Sequence, residues 1–169
     1  MTLAVSIRPV SHEDGPALIG AHRDSSDFHL PWATPFTTKA GFENWFAATL
    51  TDRKVSFIVE AGGRLAGLIN LNEIVRGSLL SAYLGYHAMA GQSGRGVMTE
   101  AVRQTIAHAF GPLGLHRVEA NIQPGNARSR ALVQRLGFQL EGFSPRYLRI
   151  AGAWRDHERW AKLADAPGE

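Results

Sequence analysis

The 169-residue chain contains no cysteine. Disulfides, thiolate-bound metals and cysteine nucleophiles are therefore excluded. No apolar run approaches the roughly 20 residues that a membrane-spanning helix needs. The opening stretch, MTLAVSIRPVSHEDG, has neither a basic segment nor an apolar core. The sequence thus predicts no signal peptide, and a cytoplasmic location follows by default. The seven histidines lack the close H-x3-H pairing of a zinc site, so no metal is expected. Nor is there a strong charge of one sign: the net +3 at pH 7 does not by itself call for nucleic acid.

What is there reads as one globular domain over residues 1–169, with 44% hydrophobic and 20% charged residues. Arginine is concentrated in the last quarter: Arg128, Arg130, Arg135, Arg146, Arg149, Arg155 and Arg159, opposed there by Glu141, Asp156 and Glu158. That is either a solvated surface of local ion pairs or a surface for phosphates or an acidic partner. VSIRPV alternates as a first strand, and residues near 13–24 and 39–52 read as helices. SSDFHLPWATPFT, with its two prolines, reads as loop. VSFIVEA, RLAGLINLNEI and SLLSAYLGYHAM form three successive antiparallel strands, with Gly62-Gly63 in the first hairpin turn. From Val97 to Phe110 the apolar spacing becomes helical, and Gly111-Pro112 ends it. HRVEANI is a strand. Asn126 caps a helix running to about Leu136, and a final hairpin turns at Ala151-Gly152.

The stretch YHAMAGQSGRGVMTEAV places Gly94 and Gly96 just ahead of the helix. A P-loop would need G-x-x-x-x-G-K-S/T, but no lysine lies in the region. A dinucleotide fingerprint would need a third glycine where Thr99 stands, and it should follow the first strand of a βαβ unit. A turn without ligand stays open. So does a row of backbone donors at a helix N-terminus, which suits a pyrophosphate.

Here the chain resembles the GNAT family of acyl-CoA-dependent N-acyltransferases, whose signature is Q/R-x-x-G-x-G/A between the fourth strand and the helix after it. In this sequence it reads Ser93-Gly94-Arg95-Gly96-Val97-Met98, departing at both ends, with Gly96 and the flanking GRGVMTEA intact. The order of elements also matches that α/β (α+β) fold, a mixed, mostly antiparallel sheet of six to seven strands flanked by about four helices. NLNEIVRGSLLSAYLGYH, HRVEANIQPGNARSRALVQRLGFQLEGF, RYLRIAGAWRDHERWA and DFHLPW resemble the branch that acetylates N-terminal residues of ribosomal proteins, the RimJ/RimL type. The resemblance implies acetyl-CoA as cosubstrate. Backbone groups near His87, Ala88 and Met89 would pair with the pantetheine arm. The N–H groups of Gly94, Arg95, Gly96, Val97, Met98 and Thr99 would receive the pyrophosphate. Asn126 would bond the pantetheine, and Ser129 would protonate the leaving thiolate.

The general base does not carry over. Related enzymes place an acid just before a tyrosine of the sixth strand; here Arg146 precedes Tyr147, and a guanidinium accepts no proton. Glu73 and Glu119, acting through water, are the candidates. His87 and the His157–Asp156 pair read better as packing. A protein's α-amine eases the need. With a pKa of about 7.8, roughly a third of it is neutral at pH 7.5, against about one in a thousand for lysine. With neither cysteine nor an activated serine triad, the amine is expected to attack the thioester directly. Trp32, Phe28, Phe36 and Trp45 are candidates for the amine side of the cleft, and Asn70 and Asn72 for holding a peptide's first residue. Three functions stay open: acetylation of a protein N-terminus (Ala or Ser first), acetylation of a small amine such as an antibiotic, polyamine or amino acid, or acyl-CoA binding without catalysis. Monomer and homodimer are equally compatible with the sequence.

Overall fold

A computed structural model describes residues 4–92 and 94–165. The alternating segments become strands β1 (Val5–Pro9), β2 (Val55–Ala61), β3 (Arg64–Val75) and β4 (Ser81–Ala88), paired antiparallel in that order. The helical spacing after the glycine turn becomes α4 (Val97–Phe110), and β5 (Arg117–Ile122) returns parallel to β4. After α5 (Ala127–Arg135), the hairpin of β6 (Gln139–Ile150) and β7 (Ala153–Leu163) adds to β5 through β7. The seven-stranded sheet has the order β1-β2-β3-β4-β5-β7-β6.

Two apolar cores lie on opposite faces, because successive strand residues point to opposite sides. Val59, Ile69, Leu71 and Val118 meet Ala101, Val102 and Ile106 of α4 and Val133 of α5 on one face. Ile58, Leu68 and Met89 meet Leu18 of α1 (Gly15–Asp24) and Phe42 of α3 (Lys39–Thr49) on the other. The N-terminus of α3 is closed by Thr38, whose hydroxyl oxygen accepts from the Gly41 N–H at 3.1 Å.

The segment read as loop holds one helical turn, α2 (Ser26–His29), with His29 buried. Residues His12–Asp14 form a 3₁₀ turn ahead of α1, with Asp14 bonded to Arg8 of β1 at 2.7 Å. That ion pair, six residues apart, ties the start of the helical region back to the first strand. Phe36 and Trp45, candidates for the amine side, instead pack together at 5.1 Å between centroids, against the core under α1 and α3.

The strand pair that shapes the site is β4–β5. Its register holds for only Ser81–Arg117, Ala82–Val118 and Tyr83–Glu119. Beyond Tyr83, β4 continues beside β3 while every residue of β5 pairs with β7, so the two part.

Gly67 lets α4 seat on this region. A Cβ there would lie 2.7 Å from Met98 Sδ and 2.9 Å from the His87 carbonyl oxygen. Gly67→Ala should therefore lower stability by about 1–3 kcal/mol. Urea unfolding should show a lower midpoint at an unchanged slope; an unaltered midpoint would mean that the sheet yields at this point without loss.

Candidate active site

A cleft of about 700 Å³ occupies the gap between β4 and β5. Tyr86, His87 and Ala88 of β4 line one wall, and Asn126, Ser129, Leu132 and Arg135 the other. Gly94, Gly96, Val97, Met98 and Thr99 form one end, and Phe28, His29 and Trp32 cover the opening. The covering segment is tied on both sides. His29 Nε2 donates to the Ala88 carbonyl at 2.8 Å, and the Ala90 N–H donates to Ser25 Oγ at 2.9 Å. Across the gap, Gln123 Nε2 donates to the Pro31 carbonyl at 3.2 Å.

The parity of β4 decides which backbone groups face the cleft. In an antiparallel ladder, a residue bonded to its neighbour turns both its N–H and C=O that way, and the next residue turns both away. The Met89 N–H donates to the Ala66 carbonyl at 2.9 Å, so Met89, and with it His87, serves β3. Tyr86 and Ala88 face the open side. Of the three expected donors and acceptors, His87, Ala88 and Met89, only Ala88 has its amide directed there. Tyr86 joins it, and Met89 does not line the cleft.

At the glycine turn, Gly94 and Gly96 have φ of +82° and +75°. Side chains rarely adopt this left-handed backbone, and no protein atom stands within 4 Å of where either Cβ would be. Glycine is thus set here by the backbone, and the space over the turn is open. Gly96 is the N-cap of α4 and offers no side chain, so the first-turn N–H groups of Val97, Met98 and Thr99 have no partner within the helix. Bare donors at a helix N-terminus are chemically suited to an anion. Arg95 is exposed and not part of the lining, and Ser93 of the signature lies outside the described residues.

Asn126 caps α5, its Oδ1 accepting from the Ser129 N–H at 3.2 Å, which fixes Ser129 one turn into the helix beside the cleft. The Tyr86 hydroxyl, buried and without a hydrogen-bond partner, reaches the same place. Burial pushes its pKa up to about 12, with neighbouring Ser129 acting in the opposite sense. It is a cleft-lining hydroxyl that reading the sequence did not single out; the signal was its position beside His87 on an alternating strand.

Other candidates fall elsewhere. Glu73 follows the pairing shift at the end of β3, has a positive φ of 47° and is exposed, ion-paired with Arg53. Glu119 is bonded to Arg117 at 2.6 Å, and Glu141 closes on the same arginine. Neither Glu73 nor Glu119 lines the cleft, and each already holds a cation. Asn70 is buried between strands, its Oδ1 accepting from Ser56 Oγ at 2.6 Å. Asn72 pairs with Tyr83 further along the sheet, also outside the cleft. Arg146 sits in a bulge of β6 with φ of +47°, its N–H bonded to Asp156 Oδ1 at 2.7 Å. His157 is buried, with Nδ1 donating to the Arg155 carbonyl, a packing role as expected.

The family described as acetyltransferase (GNAT) domain matches residues 5–139. The ribosomal protein uS5-alanine N-acetyltransferase of Escherichia coli is 42% identical over 93 residues, 55% of this chain and 48% of that protein. The chain spans about half the length of the curated relatives it matches. Among solved structures, Mycobacterium smegmatis RimJ in complex with CoA-disulfide superposes with a TM-score of 0.88 at 29% identity, over 98% of this chain and 84% of that one. Spermidine N-acetyltransferase from Vibrio cholerae shares the fold, with a TM-score of 0.81 at 20% identity over 94% and 95% of the two chains. The splayed strands, the uncapped helix over the glycine turn and the match across most of its length place the chain in the GNAT acetyltransferase family.

Proposed function

We propose that this protein transfers the acetyl group of acetyl-CoA to an amine, and that the amine is the N-terminal α-amine of a protein. The parting of β4 from β5 carries this reading. The unpaired backbone of Tyr86 and the Ala88 N–H lead toward the bare N–H groups at the start of α4, while the Ala88 carbonyl is taken by His29. A pantetheine arm laid along β4 would find strand-like amide partners, and its pyrophosphate would meet the helix N-terminus. Arg128 and Arg135, both on the cleft wall, make the cleft positive, Arg128 with its guanidinium over the Phe28 ring. This keeps the expected roles for Asn126, Gly94, Gly96, Val97, Met98 and Thr99.

The acetyl carbon would then sit in the gap, and the amine would enter under Phe28 and Trp32. The neutral amine attacks the thioester carbonyl directly. As the C–S bond breaks, the thiolate takes a proton from Ser129, with the Tyr86 hydroxyl beside it; burial keeps Tyr86 protonated at neutral pH. No carboxylate lines the cleft among the described residues. An acceptor already partly neutral at pH 7.5 fits such a site, and an α-amine is one. The name of the Escherichia coli relative, a ribosomal protein uS5-alanine N-acetyltransferase, supports an alanine of a ribosomal protein as the acceptor.

Gly96→Glu should abolish coenzyme A binding, by forcing a side chain into the left-handed position and placing a negative charge at the phosphate site. Calorimetry that finds wild-type affinity in the folded variant would remove the turn from the site.

Ser129→Ala should lower kcat on the order of 10²-fold with little change in the KM for acetyl-CoA. If Tyr86→Phe produces that loss and Ser129→Ala does not, the proton comes from the tyrosine instead.

A peptide beginning with Ala or Ser should be acetylated at its α-amine and not at internal lysines, as read by fragment mass spectrometry. kcat/KM should rise with pH through about 7.8, the α-amine's own pKa, and then level. Acetyl on lysine, or turnover of polyamines alone, would replace this acceptor with a side-chain or small amine. Binding of acetyl-CoA without turnover of any amine would leave only a binding module.

A further inference from the structure

Of the arginines that crowd the last quarter of the chain, local ion pairing among the described residues engages only Arg130, which bonds Glu158 at 3.0 Å. The other two acids there are taken differently. Glu141 is held by Arg117, and Asp156 accepts from the backbone N–H of Arg146 at 2.7 Å. Among the described residues, Arg128 and Arg135 belong to no ion pair, and both line the cleft. They lie two turns of α5 apart, about 10 Å along its axis. They therefore charge different parts of the cleft.

Arg128 stands at the opening. Its guanidinium lies over the Phe28 ring, 5.7 Å from the centroid, inside the roughly 6 Å reach of a cation–π contact. Phe28 belongs to the segment that covers the cleft, so this contact crosses from α5 to the roof and sets a positive charge where the acceptor enters. Arg128 is also the immediate neighbour of Ser129, the residue assigned to the thiolate. In coenzyme A the whole pantetheine arm separates the sulfur from the pyrophosphate, so Arg128 marks the sulfur end of the cleft and not the phosphate end. Nothing nearby neutralises it: no Asp or Glu lines the cleft among the described residues. His87 adds no charge of its own, because burial lowers its pKa to about 3.

We infer that Arg128 selects the acceptor by charge, so that the site takes protein N-termini carrying Asp or Glu just after the reacting residue and turns away those carrying a cation there. The inference rests on the α-amine reading and names its substrate class. The reacting amine is neutral when it attacks, so Arg128 does not oppose it. A second cation close by keeps its charge and is repelled, whereas a carboxylate is attracted. An extended chain advances about 3.5 Å per residue, which places residues two and three of the acceptor nearest the opening. The acid binds and takes no part in the bond changes. Polyamines fall on the unfavourable side of the same rule, because one nitrogen can lose its proton while the others stay cationic.

The test compares three peptides that begin Ala-Glu, Ala-Gln and Ala-Arg and are otherwise identical, at a pH where all three α-amines are neutral. kcat/KM should fall in that order by about fivefold per step, mostly through the KM for the peptide, and the steps should shrink as salt is added. Arg128→Gln should level the three, and Arg128→Glu should reverse their order. Arg128 is exposed, and an acid in the first turn of α5 suits the helix dipole, so both variants should fold. Arg135→Gln should keep the wild-type order. Equal rates in the wild type, or an order that persists in Arg128→Glu, would overturn the inference while α-amine acetylation stands. So would Arg128 variants that raise the KM for acetyl-CoA and keep the order, since the arginine would then serve the donor. If the wild type acetylates none of the three at the α-amine, the α-amine reading fails and this inference falls with it.

Discussion

β4 and β5 share only three residue pairs before each follows its other neighbour. Backbone N–H and C=O groups taken out of water must find partners, and along most of a sheet the next strand supplies them. Past Tyr83 none is in reach, so a run of main chain in the middle of the sheet is left with open bonding capacity. The cleft, the facing of Tyr86 and Ala88 and the place of α4 all follow from this parting. Seven strands hold it open. β1, β2 and β3 stand behind β4, while β7 and β6 stand behind β5, so neither side can swing across to heal the gap without breaking its own ladder.

The same parting gives the two faces of the sheet different work. α4 and α5 cover one face with an apolar core, and α4 begins at the cleft with a bare glycine cap. The helix is anchored by Val97, Met98, Ala101 and Val102, all buried, so the uncapped N–H groups sit on a fixed base and not on a loose loop. α1, α2 and α3 cover the other face with a smaller core in which three histidines are set among apolar side chains. A cleft running between the faces is reached from both.

Much of this was legible in the sequence where the signal is local. The limits of α4, from the glycine turn to Gly111-Pro112, were set by spacing and breakers, and the cap at Asn126 and the turn at Ala151-Gly152 by residue chemistry. Where the outcome depends on contacts across the chain, the reading failed. Nothing near Glu73 announces Arg53, 20 residues away, and nothing near Glu119 announces that Arg117 holds it together with Glu141. Strand parity was also out of reach. One bond, from Met89 to Ala66, decides that Tyr86 faces the cleft and Met89 does not. His22 and His29 fell in segments read as plain helix and loop, and only the folded arrangement sets them against His87.

The covering segment is pinned at Ser25 and His29 to the end of β4 and at Pro31 to Gln123 beyond β5. Phe28 and Trp32 hang between these anchors. The span behaves like a bridge whose footings are separate from its deck: the hydrogen bonds set where the roof stands, and the aromatic side chains set what can pass beneath it. On the acetyl-transfer reading proposed above, exchanging the deck residues would alter which acceptor is admitted while the footings and the strands keep their places. A protein built this way can acquire a new acceptor by a few side-chain replacements, without redesign of the parts that handle the acyl donor.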